Sequence, residues 1–114
     1  MIFETHAHYD DKMFDEDRES LLESMQEAGI GRIVNIGANL ASTASSIALA
    51  EKYPFIYAAA GVHPSDAAQL NEHTFQWLSE QTAHEKVVAV GEIGLDYYWE
   101  KDPEVRANQR YWFR

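Results

Sequence analysis

The sequence predicts an α/β fold in which four β/α units form a parallel sheet, equivalent to half of a TIM-like (β/α)8 barrel. Short apolar runs alternate four times with segments of helical periodicity, and the repeat recurs roughly every 25 to 32 residues, which is typical of a βα unit. The chain has 114 residues, whereas a closed barrel usually needs about 250. We therefore expect residues 1–114 to form one domain, the N-terminal half of a barrel that is apparently truncated.

The four expected strands are short and apolar. The first contains Met1-Ile2-Phe3 and closes at His6-Ala7-His8, and the second covers Ile30 to Ile36. The third covers Phe55 to Val62, and the fourth covers Lys86 to Ile93. The third scarcely alternates between apolar and polar residues, which predicts burial on both faces.

The first two helices have clear boundary signals. Asp15 is the predicted N-cap of the first helix and Gly29 its stop, and Asn39 is the predicted cap of the second, which ends before Pro54. The expected apolar positions are Leu21, Leu22, Met25 and Ala28 in the first helix, and Leu40, Ala44, Ile47 and Ala48 in the second.

The last two helices are predicted from periodicity and from a proline. The third runs from Glu72 to Gln81, with Phe75 and Leu78 inward. The fourth opens at Asp102-Pro103-Glu104, where the missing N–H of proline does no harm. Its apolar side is expected to consist of Val105, Tyr111 and Trp112.

Four units of a barrel leave two open sheet edges and an uncovered apolar face. Both features favour association, so the fragment is expected to pair with itself through these edges, with its missing half or with a partner. A natural open sheet of four units is the competing interpretation.

Composition restricts the class of protein. Nineteen acidic and nine basic residues give a net charge of -10, which disfavours a protein that coats nucleic acid through counterion release. There is no cysteine, which suits a cytoplasmic protein without disulfides. No apolar stretch approaches the roughly 20 residues of a membrane helix, so no membrane partner is expected.

The first candidate site is the pair His6 and His8 at the end of the first strand. Residues i and i+2 of a strand point to the same face, about 6 to 7 Å apart along the backbone. Two neutral imidazoles at this spacing can bind one divalent ion. Ordinary strand-end histidines are the alternative.

Glu92 follows the apolar run Val87 to Val90 and lies between Gly91 and Gly94. A carboxylate at that position costs free energy unless it is paired or bound to a cation. Its two oxygens could bridge two ions, whereas the alternative is a solvated strand-end glutamate.

Two further residues follow strand ends. His63, before Pro64, could contact a substrate phosphate or orient a ligand, and a purely structural hydrogen bond is the alternative. Asp96 could fix the tautomer of a histidine or simply cap its turn.

The order of the motifs His6-Ala7-His8, Gly61-Val62-His63-Pro64 and Gly91 to Tyr98 resembles the TatD family of metal-dependent deoxyribonucleases. The similarity spans the whole chain. It implies a TIM-like barrel with one or two divalent ions (Mg, Mn or Zn) that hydrolyses phosphodiester bonds in DNA, with single-stranded 3′ ends as the expected substrate. It also implies that His6 and His8 bind the first ion, that Glu92 is catalytic by bridging to the second, and that His63 lies near the substrate.

The chain departs from that family in two ways. Glu4 stands where most members of the family have an aspartate. The resemblance implies that this carboxylate supports the metal ligands without binding the ion, and the added methylene displaces it by about 1.5 Å. The family also draws two more histidines and an aspartate from later strands, so the fragment alone is expected to be inactive. Two alternatives remain: a related barrel hydrolase that acts on an amide, ester or lactone, and a non-catalytic fragment that only associates.

Overall fold

A computed structural model describes residues 1–114 as a four-stranded parallel sheet in the order β1-β2-β3-β4. The strands are β1 (Ile2–Ala7), β2 (Ile30–Ile36), β3 (Ile56–Ala60) and β4 (Val87–Val90). Each pair of neighbours is parallel, as the βα alternation predicts, so all carboxyl ends of the strands lie at one edge. The α/β class and the partial-barrel architecture are therefore confirmed.

The helices are α1 (Arg18–Ser24), α2 (Leu40–Lys52), α3 (Glu72–Gln81) and α4 (Pro103–Phe113). Two short 3-10 turns cover Lys12–Phe14 and Pro64–Gln69. The predicted limits of α3 agree with the structure. None of the helices combines the length and hydropathy that crossing a bilayer requires.

The predicted N-cap of the second helix is confirmed, and that of the first is wrong. The Asn39 side chain accepts a hydrogen bond from the Ser42 amide at 2.8 Å. Asp15 instead ends the first 3-10 turn, and α1 begins later, after Asp17. The Asp15 carboxylate forms an ion pair with Arg18 at 2.7 Å, so it supports the helix start from outside.

The buried face of α2 differs from the predicted apolar face. Ala44 and Ala48 are exposed and Leu40 is half-buried. The buried side chains are Thr43, Ser46, Ile47 and Ala50. Periodicity of apolar residues missed this face because half of it is polar, and these polar groups are satisfied by hydrogen bonds to the strands.

The predicted apolar side of α4 is also only partly correct. Val105 and Tyr111 are exposed, whereas Trp112 is half-buried and its ring lies 5.5 Å from that of Phe75. The most buried residue of α4 is Gln109, because its side-chain oxygen accepts a hydrogen bond from the Asp96 amide at 2.9 Å. This helix is therefore held by a polar contact to the loop after β4 and by the aromatic contact between Trp112 and Phe75.

The two faces of the sheet are unlike each other. The main core lies between the sheet and α1 and α2, and it includes Leu22, Ile33, Ile47 and Ile56. The opposite face, here called the open face, carries the small cluster Val34, Ile36 and Ala59. Large apolar side chains at the edge strands remain more than half exposed: Ile2, Phe3, Val88 and Val90.

A buried asparagine connects β2 to α2 and to the segment after His8. Asn35 is fully buried. Its side-chain amide donates to Asp10 at 2.9 Å and to Ser46 at 2.8 Å, and its oxygen accepts from the Tyr9 amide at 2.7 Å. Both N–H groups and the oxygen of this side chain are therefore engaged, and two of the three bonds fix the chain immediately beyond the histidine pair.

Asn35→Leu should lower the free energy of unfolding by about 1–3 kcal/mol, because a side chain of similar size leaves Ser46 and the Tyr9 amide without a partner. Urea denaturation of the chain measures the change. Asn108→Leu is the matched control, because Asn108 forms a single long bond of 3.4 Å to the Ala67 carbonyl. Equal losses in the two variants would contradict the role of the Asn35 network.

Candidate metal centre

The two histidines of the first motif converge on one point. His6 lies near the end of β1 and His8 follows one residue after it. Their rings are 5.0 Å apart between centroids at an angle of 79°. Their Nε2 atoms lie 3.2 Å from each other, so both nitrogens can face the same ligand.

Glu92 completes this cluster from the opposite edge of the sheet. Its Oε1 lies 3.0 Å from the Nε2 of His6 and 3.6 Å from that of His8. These three donor atoms lie within 4.8 Å of one another. The fold places these side chains together although β1 and β4 are three strand spacings apart, which is about 14 Å in a flat sheet.

The segment after β4 crosses the end of β3 to reach β2. The Gly91 amide still donates to the Ala60 carbonyl at 2.9 Å, as in a continuing strand. The next amide, that of Glu92, donates instead to the Gly37 carbonyl at 2.6 Å. This shift ends β4 earlier than predicted and moves Glu92 inward over the open face, towards the histidines.

Gly61 makes the crossing possible. A Cβ atom on Gly61 would overlap the carbonyl group of Gly91 and approach that of Glu92. The hydroxyl of Thr43 holds Gly61 on its other side by accepting from the Gly61 amide at 3.2 Å and donating to its carbonyl at 2.9 Å. Glycine is therefore needed at this position for close backbone approach, although its φ is ordinary.

A backbone carbonyl orients His8. The Nδ1 atom of His8 lies 3.1 Å from the carbonyl oxygen of Ile36. Because a carbonyl can only accept, Nδ1 carries the proton and Nε2 keeps its lone pair. Metal-binding histidines commonly have such a partner, which fixes the tautomer and the ring orientation.

The donor set fits a divalent cation. Ligand bonds of about 2.0–2.2 Å place neighbouring donor atoms about 3.0–3.5 Å apart in octahedral or tetrahedral coordination. The observed separations are 3.0, 3.2 and 3.6 Å. The side chains of His6, His8 and Glu92 are 54%, 42% and 26% exposed, so solvent and further ligands can reach the same point.

Glu4 lies beside this cluster without joining it. Its carboxylate accepts a hydrogen bond from the backbone amide of His6 at 3.0 Å, which supports the conformation of the strand end.

Burial, and secondarily the charge of Glu4, raises the pKa of the Tyr9 hydroxyl above its ordinary value. Tyr9 is therefore neutral at physiological pH.

His63 faces the same depression of the open face as His6 and Glu92. It caps the 3-10 turn that follows, because its Nδ1 accepts from the Ser65 amide at 3.1 Å. Its own amide donates to the Ala38 carbonyl at 2.8 Å. The capping bond occupies Nδ1, so Nε2 is the atom available to a ligand in the depression.

Asp96 contacts its own turn and no histidine. Its carboxylate accepts hydrogen bonds from the amides of Tyr98 at 3.0 Å and Trp99 at 3.1 Å. Asp96 was predicted either to fix the tautomer of a histidine or to cap its turn, and the structure shows the capping contact.

Sequence reasoning missed the residues that hold the loop after His8. Besides Asn35, the guanidinium of Arg18 donates to the carbonyls of Tyr9, Asp10 and Asp11 at 2.6 to 3.1 Å. An asparagine inside the β-branched run of β2 was a detectable signal, because a polar side chain there must be hydrogen-bonded. Arg18 carries no such signal in the sequence.

Several known proteins resemble this chain over most of its length. The profile of the family described as TatD related DNase matches residues 3–114. An uncharacterized metal-dependent hydrolase of Bacillus subtilis, YabD, is 43% identical over 104 residues, which cover 91% of this chain and 41% of that protein. The 3′-5′ ssDNA/RNA exonuclease TatD of Pectobacterium carotovorum is 32% identical over 97 residues, which cover 84% of this chain and 37% of the exonuclease.

The fold has a counterpart among solved structures. The crystal structure of YjjV, a TatD homologue from Escherichia coli, superposes with a TM-score of 0.83 at 33% identity. The match covers 98% of this chain and 43% of that chain. The present chain thus spans about two fifths of the length of the relatives that it matches.

Gly61→Ala should destabilise the chain by about 1–3 kcal/mol, as expected when a methyl group is forced into a packed contact. It should also weaken metal binding, because Glu92 is displaced. Gly91→Ala is the matched control, since a Cβ there meets no atom within 4 Å. Urea denaturation and calorimetric Zn²⁺ titration measure both effects, and a Gly61→Ala variant with unchanged stability would refute the close approach.

Glu92→Gln should weaken binding of Zn²⁺ or Mn²⁺ to the chain by more than about tenfold, because the amide oxygen is a poorer ligand than a carboxylate. Isothermal titration calorimetry measures the affinity. Glu104→Gln, at an exposed position in the first turn of α4, provides a charge-matched control that should bind as the wild type does. Similar affinities in both variants would exclude Glu92 as a ligand.

Proposed function

Because this chain belongs to the TatD-related DNase family of metal-dependent hydrolases, we propose that it forms the metal-binding part of an enzyme that hydrolyses phosphodiester bonds in DNA, from the 3′ end of single strands. The observation that carries this proposal is the convergence of His6, His8 and Glu92. Several relatives are named 3′-5′ ssDNA/RNA exonucleases, which supports the choice of substrate.

Each residue has a distinct role in this proposal. His6 and His8 would hold a divalent ion, and Glu92 would provide its carboxylate to this ion and to a second one. A bound ion supplies positive charge that polarises the phosphoryl oxygens and acidifies water. The mixed imidazole and carboxylate donors accept Mg²⁺, Mn²⁺ or Zn²⁺.

His63 is proposed to bind the substrate phosphate. Its Nδ1 is occupied by the capping bond from the Ser65 amide, so the proton resides on Nε2, on the side that faces the depression with His6 and Glu92. This N–H can donate to a phosphate oxygen. Glu4 is proposed to act on the site indirectly, through its bond to the His6 amide.

The net charge of -10 is compatible with this function. Acidic surfaces repel the backbone of a long duplex, so affinity from counterion release is low. An exonuclease needs contact with a few nucleotides at a strand end, and the bound cations supply local positive charge there. The overall charge therefore favours end recognition over binding along the duplex.

Removing both histidines tests the function. The natural gene product that contains this chain should release nucleotides from the 3′ end of 5′-labelled single-stranded DNA when Mn²⁺ or Mg²⁺ is present. His6→Ala/His8→Ala should slow this release at least about 100-fold, since the ion contributes several kcal/mol to catalysis. His73→Ala, at an exposed position on α3, is the control and should retain activity.

Two comparisons extend this experiment. Ester, amide and lactone substrates should be turned over much more slowly than DNA, and faster turnover of any of these would favour the related hydrolase instead. The 114-residue chain alone should show no substantial turnover. Full DNA hydrolysis by the double histidine variant would refute the proposed site.

A further inference from the structure

The loop after the metal centre presents two exposed aromatic rings side by side. Tyr98 is 74% and Trp99 80% exposed, and their rings are 4.7 Å apart and perpendicular. Aromatic residues are enriched at binding interfaces, and two adjacent exposed rings offer a flat surface to a ligand. We name this pair the aromatic platform.

The platform is held in place although its rings are exposed. The Asp96 carboxylate accepts hydrogen bonds from the amides of both residues, and the Asp96 amide is bound to the buried Gln109. These bonds connect the platform to α4. The rings are therefore presented on a fixed turn, which reduces the conformational entropy lost when a ligand binds.

Several basic side chains lie close to the platform, although the acidic residues Asp96, Glu100 and Asp102 also flank it. Four of the nine basic residues lie at 101–114 (Lys101, Arg106, Arg110, Arg114), beside only two acidic residues in that stretch. Lys101 lies 5.8 Å from the centre of the Tyr98 ring. Arg106 lies 4.6 Å from the centre of the Tyr97 ring, and Arg110 donates to the Tyr97 hydroxyl at 2.7 Å.

The platform belongs to the segment that leaves the carboxyl end of β4, the same segment that carries Glu92. Both follow carboxyl ends of parallel strands, and seven residues separate Glu92 from Trp99. That length of chain spans at most about 25 Å, which a strand rising about 3.4 Å per nucleotide covers in about seven nucleotides. A nucleic acid strand can therefore reach both places at once.

From these observations we propose that Tyr98 and Trp99 form a binding site for single-stranded nucleic acid, in which an unpaired base stacks on the rings and the basic residues of 101–114 contact the phosphates. The combination of aromatic rings with cations is typical of proteins that bind single strands without sequence preference. The identity of the ligand rests on the proposed function. Asp96 then acts as a positioning residue for the platform.

Binding without metal tests the platform separately from hydrolysis. In EDTA, a labelled single strand of ten thymidines should bind the chain, and Trp99→Ala should weaken it about 5- to 100-fold, as expected for the loss of one stacked base. Tyr111→Ala removes another exposed aromatic ring, on α4, and should bind as the wild type does. Because both side chains are exposed, these truncations leave the core intact, and urea denaturation checks this.

Several outcomes would overturn the platform. The first is that Trp99→Ala binds the single strand as tightly as the wild type, and the second is that Tyr111→Ala loses as much affinity as Trp99→Ala. The third is that a blunt ten-base-pair duplex, whose bases are already stacked, competes for binding as well as the single strand does. Asp96→Ala should lower the affinity for the single strand, but by less than Trp99→Ala does. Asp96→Asn can still accept the two amide hydrogen bonds, so it should bind the strand with wild-type affinity. Failure of rescue would exclude Asp96 as the positioning residue.

Kinetics separate the platform from the proposed function. In the natural gene product, Trp99→Ala should raise KM for single-stranded DNA while kcat is retained, because the ring binds substrate away from the reacting bond. If the gene product does not hydrolyse DNA, the proposed function fails, whereas strand binding in EDTA still decides the platform. If hydrolysis proceeds and KM is unchanged in Trp99→Ala, the platform alone is refuted.

Discussion

The geometry of the site depends on one backbone contact, the hydrogen bond from the Glu92 amide to the Gly37 carbonyl. This bond joins the segments after β4 and β2 over the end of β3. It brings a carboxylate from one edge of the sheet to imidazoles at the other, and a side chain on Gly61 would prevent it. The architecture of the sheet alone would leave these groups about three strand spacings apart.

Polar groups buried between the sheet and α2 hold the strand ends in register with this contact. Thr43 binds both backbone groups of Gly61, and Asn35 binds Ser46 and the chain beyond His8. No buried side-chain polar atom lacks a partner. Hydrogen bonds in such surroundings are directional, so they determine where each loop leaves the sheet, whereas apolar packing determines mainly that the layers adhere.

The sequence predicted the order of the elements well, because apolar runs and helical periodicity depend on local residues. The convergence of the His6 and His8 side chains also followed from a local rule, the alternation of side chains along a strand. Prediction failed where distant contacts decide. The buried face of α2 is half polar because partners on other segments satisfy its polar groups. The buried residue of α4 is the polar Gln109, which binds the Asp96 amide, whereas Val105 and Tyr111 are exposed. No pattern in the sequence indicates that Arg18 holds the loop after His8.

The separation of His6 and Glu92 along the chain has a consequence for folding. These residues are 86 positions apart, so a cation bound to both closes nearly the whole chain into a ring. A covalent cross-link over such a span removes enough disorder from the unfolded ensemble to contribute about 4 kcal/mol. An ion held by these residues would act as a clasp in the same sense, and the free energy of unfolding would then depend on the concentration of metal in the surroundings.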